Sequence, residues 1–176
     1  MRAGRTSGRL PIFHISPCGF RGVRGADCRC DDAIVQRYLG KLSGPLLDRI
    51  DLHVTVSRVS FDELTERDAG ETSATIRTRV EAARARQTRR FERRPFTTNA
   101  AIAAAEVRTL CPLDADALSL LEGAVSRGTL SARSFDRIAR VARTIADLAG
   151  AERIARAHVA EALVYRPVTV RTPAAA

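Results

Sequence analysis

Three cysteines are the first residues whose type and spacing could do chemistry. Cys18 is followed by Cys28-x-Cys30, a spacing that lets one loop gather three thiols. The thiolate is the form of cysteine that binds metal, and a closed structural zinc site takes four ligands. Ser16 stands where a fourth cysteine would complete a C-x-C…C-x-C pattern, and His14 is the nearest alternative donor. Two readings stay open: reduced thiols in a loop, or a site for Zn2+ or another soft metal at Cys18, Cys28 and Cys30. Cys111 stands alone, and cysteines so distributed do not look like a disulfide framework.

Arginine supplies the other candidate chemistry. The stretch Leu42-Ser43-Gly44-Pro45-Leu46-Leu47-Asp48-Arg49-Ile50 places Arg49 where a short helix hands over to a strand. An arginine at such an edge can reach a neighbour's phosphate and offset charge developing in phosphoryl transfer. The plainer reading is a surface ion pair. Arg133 follows Ser131 in the first turn of an expected helix, where a cation opposes the helix dipole unless an anion is near. Arg77, Arg79, Arg84, Arg86, Arg89, Arg90, Arg93 and Arg94 share one stretch with only Glu81 and Glu92. Arg84, Arg86, Arg89 and Arg90 are the candidate nucleic-acid contacts, because such a helix can track a phosphate backbone. A solvated helix face is the alternative. With two Tyr, six Phe and no Trp, a stacking platform for single strands is not expected.

No G-x-x-x-x-G-K-[ST], G-x-S-x-G or H-E-x-x-H occurs in the 176 residues. No apolar strand ends in an acidic pair of the metal-binding kind. The sequence therefore holds no self-sufficient phosphate cradle, nucleophile or hydrolytic metal centre. His53 and His158 read as structural.

Elements must position these groups. Asp31 or Asp32 caps a short helix from Ala33 to about Leu42, and Pro45 permits another through Asp48. Ile50, Leu52, Val54 and Val56 alternate with polar residues, the period-two signal of a half-buried strand. From Ser73 to Phe91, Ile76, Val80, Ala83 and Gln87 share a helical face, and Pro95 ends the run. A helix is expected at Ala100–Leu110, and another after an Asp114 cap, with a Leu118, Leu121, Val125 stripe, stopping at Gly128. The clearest runs from Ser131 to Gly150 through Phe135, Ile138, Val141, Ile145 and Leu148, and a last one from about Ala151 or Glu152 to Tyr165. The fold class is mainly α with a small α/β remnant. By pattern the chain divides into 1–13 without periodicity, 14–57 with the cysteine loop and the strand, a connector 58–95 with the arginine-rich helix, a helical bundle 96–166, and a tail 167–176.

The formal charge of +9, from 29 basic and 20 acidic residues, permits an anionic partner such as DNA. Lys41 is the single lysine, so arginine-rich base composition accounts for part of the excess. Hydrophobic residues at 45% and charged residues at 28% exclude wholesale disorder. No apolar run approaches the ~20 residues of a membrane span, and no secretion signal is read at the N-terminus. A cytoplasmic chain with no membrane partner is expected.

Combined, Pro17-Cys18-Gly19-Phe20, Cys28-x-Cys30, Arg37-Tyr38, KLSGPLLDRIDLHV, GETSATIRTRVEAARARQ, Asn99, LSARSFDRIARVARTIADLAG and HVAEALVYR resemble one family over roughly residues 14–166. It is the C-terminal part of the magnesium-chelatase-like AAA+ ATPases known as ComM or YifB. The resemblance implies the last strand of an AAA+ core followed by a helical lid domain, a hexameric ring, ATP and Mg2+ as ligands, and a DNA motor for branch migration in natural transformation. It implies Arg49 in LLDRID as an arginine finger acting in trans and Arg133 in LSAR as the sensor-2 arginine.

The chain departs from that family at His14, where an Asn is the expected sensor-1 residue, and at Ser16, where the family has one of four cysteines. The P-loop, the acidic Mg2+ motif and the Lon-like N-terminal domain are not in the sequence, and residues 1–13 do not look like the family. A truncated ATPase, inactive alone, is therefore expected, its start explained by a new start codon after a frameshift or truncation. Two other roles stay open: a stand-alone nucleic-acid-binding module using the arginine-rich helix, or a regulator that docks on an intact ring and donates Arg49.

Overall fold

The computed structural model describes residues 14–22, 27–42, 50–56, 59, 61, 65, 70–127 and 130–166, with the side chains of Ala132 and Arg133 outside that description. Contacts divide the chain into one unit of residues 1–47 with 56–58 and another of 48–55 with 59–176. The arginine-rich helix thus groups with the bundle. The expected short helix after Pro45, the Gly128 stop, the segment 1–13 and the tail 167–176 lie outside the described residues.

In the first unit, α1 spans Asp32–Leu39. Asp31 is its cap, accepting the Ile34 N–H at 2.7 Å, which satisfies a donor that a helix start leaves unpaired. Val35 is the buried residue of α1. The cysteine loop precedes it.

The second unit is helical. Its elements are α2 (Ser73–Arg90), 3₁₀ turns at Asn99–Ala101 and Ala104–Glu106, α3 (Val107–Leu110), α4 (Ala115–Ser126), α5 (Ala132–Leu148) and α6 (Arg156–Val164). Local signals set most of the ends. Thr72, Asp114 and Ser131 cap α2, α4 and α5 through N–H bonds from Thr75, Ala117 and Ser134. Ala155, before α6, has no side-chain acceptor; instead His158 Nδ1 accepts the Ala155 N–H at 3.0 Å. α5 ends in a left-handed residue, Gly150 at φ +77°. The Ala151 N–H reaches the Ala146 carbonyl at 2.8 Å and the Gly150 N–H that of Asp147 at 3.2 Å, the paired bonds of a Schellman stop.

α5 packs against α2, α4 and α6. The core gathers Phe91, Ile102, Val107, Leu121, Ile138, Ile154 and Val159 with Ala117, Ala139, Ala142, Ala146 and Ala162. Alanine at helix contacts lets axes approach closely. A parallel bridge between Leu113 and Ile154 clips the loops before α4 and α6 together.

Four sequence expectations change. Residues 50–56 form no strand, and Leu52, Val54 and Val56 are exposed by 51%, 67% and 85%. Alternation specifies two faces, but a strand needs a ladder partner, and none exists among the described residues. The segment is held instead by the His53 N–H on the Tyr165 carbonyl at 2.8 Å and by an Asp51–Arg137 pair at 3.6 Å. Second, Ala100–Leu110 is not one helix: Ile102 has extended backbone (ψ 123°), and Arg140 donates to its carbonyl at 3.0 Å. Third, the stripes are displaced. α4 buries Ala117, Leu121 and Ala124 while Leu118 and Val125 stay about 40% exposed. Only Ala83 and Gln87 of the α2 face are buried. Fourth, α6 starts at Arg156, later than expected.

Candidate functional site

The cysteine loop brings its three thiols together. The Sγ atoms of Cys18, Cys28 and Cys30 all lie within 4.8 Å of one another, and Cys18 Sγ is 3.5 Å from Cys28 Sγ. Two glycines with positive φ, Gly19 at +74° and Gly22 at +78°, turn the backbone in a way other residues resist. Ser16 is fully buried, with its hydroxyl 3.4 Å from Cys18 Sγ and accepting the Arg21 N–H at 3.3 Å. The Phe20 N–H also points at Cys18 Sγ, at 3.4 Å.

These bonds set the thiol chemistry. The Ser16 hydroxyl, then the Phe20 N–H, bring the Cys18 thiol down to about 6, since hydrogen bonds to the charged form favour it. Hydrogen bonding to Cys18 raises Cys30. Arg21, bonded to Asp32 at 2.6 Å, is raised first by that bond and also feels Cys28 and Cys30. His14 is not a member of the sulfur group; its ring lies beside Gly19. The donor set suits a soft ion such as Zn2+. It does not suit Mg2+, which takes oxygen ligands, and it is the one such cluster among the described residues.

Of the four arginines expected to meet nucleic acid, Arg84 and Arg89 are exposed. Arg86 is half-buried, and its guanidinium sits where a Cβ on Gly150 would meet it at 3.1 Å. Arg90 is turned inward. It donates to both oxygens of Asp147 at 2.8 and 2.5 Å and to Asn99 Oδ1 at 3.0 Å. A phosphate contact by Arg90 would require giving up that pair. Arg49 and the Arg133 side chain lie outside the described residues; by backbone, Arg133 is the second residue of α5, after the Ser131 cap.

Apolar periodicity did not reveal the centre of this ionic cluster. The Asp147 and Arg143 side chains are both 0% exposed and 3.1 Å apart. Asn99 Nδ2 donates to Asp147 at 2.8 Å and to Thr144 Oγ1 at 3.1 Å. Arg143 also donates to the Ala151 and Glu152 carbonyls, each at 2.5 Å. Burial pushes the Asp147 carboxyl up, but Arg90, Asn99 and Arg143 together hold it below its usual range. Burial lowers Arg143. The available signal was Arg143 and Asp147 at i, i+4 on a helix whose neighbours are alanines. The cluster ties α2, the 99–101 turn and α5 together; its job is architectural. Cys111 is buried beside it, and burial pushes its thiol up to about 11, which leaves it inert.

Two family models match the chain. Residues 70–166 match the family described as magnesium chelatase, subunit ChlI C-terminal, and residues 12–64 match magnesium chelatase, subunit ChlI. An uncharacterized protein of Mycobacterium tuberculosis is 39% identical over 160 residues, which cover 91% of this chain and 32% of that protein. The protein YifB of Escherichia coli is 38% identical over 154 residues, 87% of this chain and 29% of its own length. Competence protein ComM of Haemophilus influenzae is 39% identical over 152 residues, 86% of this chain and 29% of its own. The chain thus spans about a third of the length of the curated relatives it matches.

Proposed function

The chain belongs to the family described as magnesium chelatase, subunit ChlI C-terminal, with ComM- and YifB-like relatives, and on that premise we propose that it is the helical lid and an adjoining piece of core of an AAA+ ATPase. The observation that carries this reading is coincidence. The family match at 70–166 begins just before α2 and ends just after α6, so the matched stretch is one helical unit.

In this reading the lid contributes to nucleotide chemistry only in an assembly. The chain carries no motif that holds β- and γ-phosphates or Mg2+, so hydrolysis would need groups from the rest of such an assembly. Arg49 would offset charge on a nucleotide held by a neighbouring subunit, and Arg133, in the first turn of α5, would meet phosphate from its own side. The Ile50–Val56 segment would pair as the last strand of the core, which gives its exposed alternate side chains a partner. A ring of copies, action on DNA and a cytoplasmic setting belong to this proposal.

The test is phosphate release from Mg·ATP by the purified chain. No turnover is expected. Turnover that survives both Arg49→Ala and Arg133→Ala would overturn the roles given to them. A second reading, a nucleic-acid contact along α2, is favoured by the exposure of Arg84 and Arg89. It predicts affinity for duplex DNA that falls steeply with salt.

A further inference from the structure

We propose that Cys18, Cys28 and Cys30 bind one thiophilic divalent cation through three thiolates and leave its fourth position open to an exogenous ligand: water at rest, a low-molecular-weight thiol when one is supplied. This stands apart from the nucleotide reading. Sulfurs bound at ~2.3 Å to a tetrahedral ion stand roughly 3.8 Å apart. The three Sγ atoms already lie within 4.8 Å of one another, and one pair is at 3.5 Å. Small shifts bring all three onto a common ion.

Among the described residues no fourth donor stands with the three sulfurs, and the nearest imidazole, His14, lies against Gly19 outside the sulfur group. The segment Val23-Arg24-Gly25-Ala26 carries no ligating side chain. The neighbouring carboxylates are engaged: Asp27 with Arg29 at 3.3 Å, Asp31 as the α1 cap at 2.7 Å, and Asp32 with Arg21 at 2.6 Å. The Ser16 hydroxyl accepts the Arg21 N–H, so its proton is free to point at Cys18 Sγ. A neutral hydroxyl so placed orients a ligand instead of becoming one. Cys18 is the exposed member, while Cys28 and Cys30 are half-buried, so the open position faces solvent.

The experiment uses the reduced, chelator-stripped full chain, titrated with Cd2+ under argon and read by thiolate-to-metal charge-transfer absorbance. One ion per chain and an intensity of three thiolates are expected. Added glutathione should raise the band by about a third, as a fourth sulfur enters. Ser16→Ala should keep the stoichiometry and the three-thiolate band. Ser16→Cys should show four thiolates before any thiol is added, a Kd lower by about tenfold or more, and no response to glutathione. Loss of the ion in Ser16→Ala would make Ser16 the fourth ligand and overturn the proposal. So would a wild-type band that ignores glutathione, or failure to saturate at one ion per chain. Circular dichroism on each variant separates loss of a ligand from loss of the fold.

Discussion

Asp147→Asn removes the carboxylate on which two arginines of the helical unit converge. The asparagine keeps the shape but carries no charge, and its amide N–H would face donors. The Asp147 and Arg143 side chains are 0% exposed and Arg90 is 20% exposed, so water cannot replace the lost partner of Arg143 and only partly replaces that of Arg90. Removing one partner of a buried pair costs about 3–5 kcal/mol, because the charge left behind is uncompensated. That is a large part of the 5–15 kcal/mol that typical domains have. At 4–8 °C per kcal/mol for small domains, Tm should fall by roughly 12 °C or more. The assay is urea unfolding of the full chain by circular dichroism, with Tm from a thermal scan. Adding Arg90→Met to Asp147→Asn should restore part of the loss, because it withdraws one of the orphaned cations. A loss below about 1 kcal/mol with an unchanged m-value would refute the reasoning, as would further destabilisation by the second change.

The same carboxylate gives a pH dependence. Asp147 is held below its usual range in the folded chain, so its contribution is full above the unfolded carboxylate value, about 3.9. It is lost as pH falls through the folded value; urea midpoints should be flat near neutrality and drop below about pH 4. Gly150→Ala should cost roughly 1–2 kcal/mol for the left-handed φ, plus displacement of Arg86, seen as a lower urea midpoint; an unchanged midpoint contradicts the stop described for α5. In the metal-free reduced chain, alkylation of Cys18 should titrate near pH 6 and move upward in Ser16→Ala, while Cys111 reacts only on unfolding, as mass mapping will show. If α2 meets DNA, Arg84→Ala and Arg89→Ala should each reduce the slope of log affinity against log salt by about one. Arg90→Ala should act through stability, and a slope change without stability loss would reverse its placement.

Helix existence was legible along most of the bundle because local chemistry sets it. Thr72, Asp114 and Ser131 cap their helices in the structure, and each is a short oxygen-bearing residue at the head of a helical pattern. Gly150 was readable for the same reason: few other residues accept its φ. The cysteine cluster was half legible. The spacing suggested three thiols, but the burial of Ser16 and the engagement of Asp27, Asp31 and Asp32 are facts of the folded loop.

Two things were not legible. Which face of α4 is buried depended on how closely its neighbours approach, and close packing favoured Ala117 and Ala124 over Leu118 and Val125. The fate of Arg90 depended on a carboxylate 57 residues away. In sequence it belongs to an arginine run like any other; in space it is an internal tie of the helical unit. The sequence alone determined where most of the helices form, which residues could bind a soft metal, and the absence of a phosphate cradle, because these follow from side-chain type and short-range spacing. Tertiary structure decided which arginines remain outside, that Ile50–Val56 finds no strand partner among the described residues, and that Asp147 is held buried by three partners, because each depends on a neighbour distant in the chain.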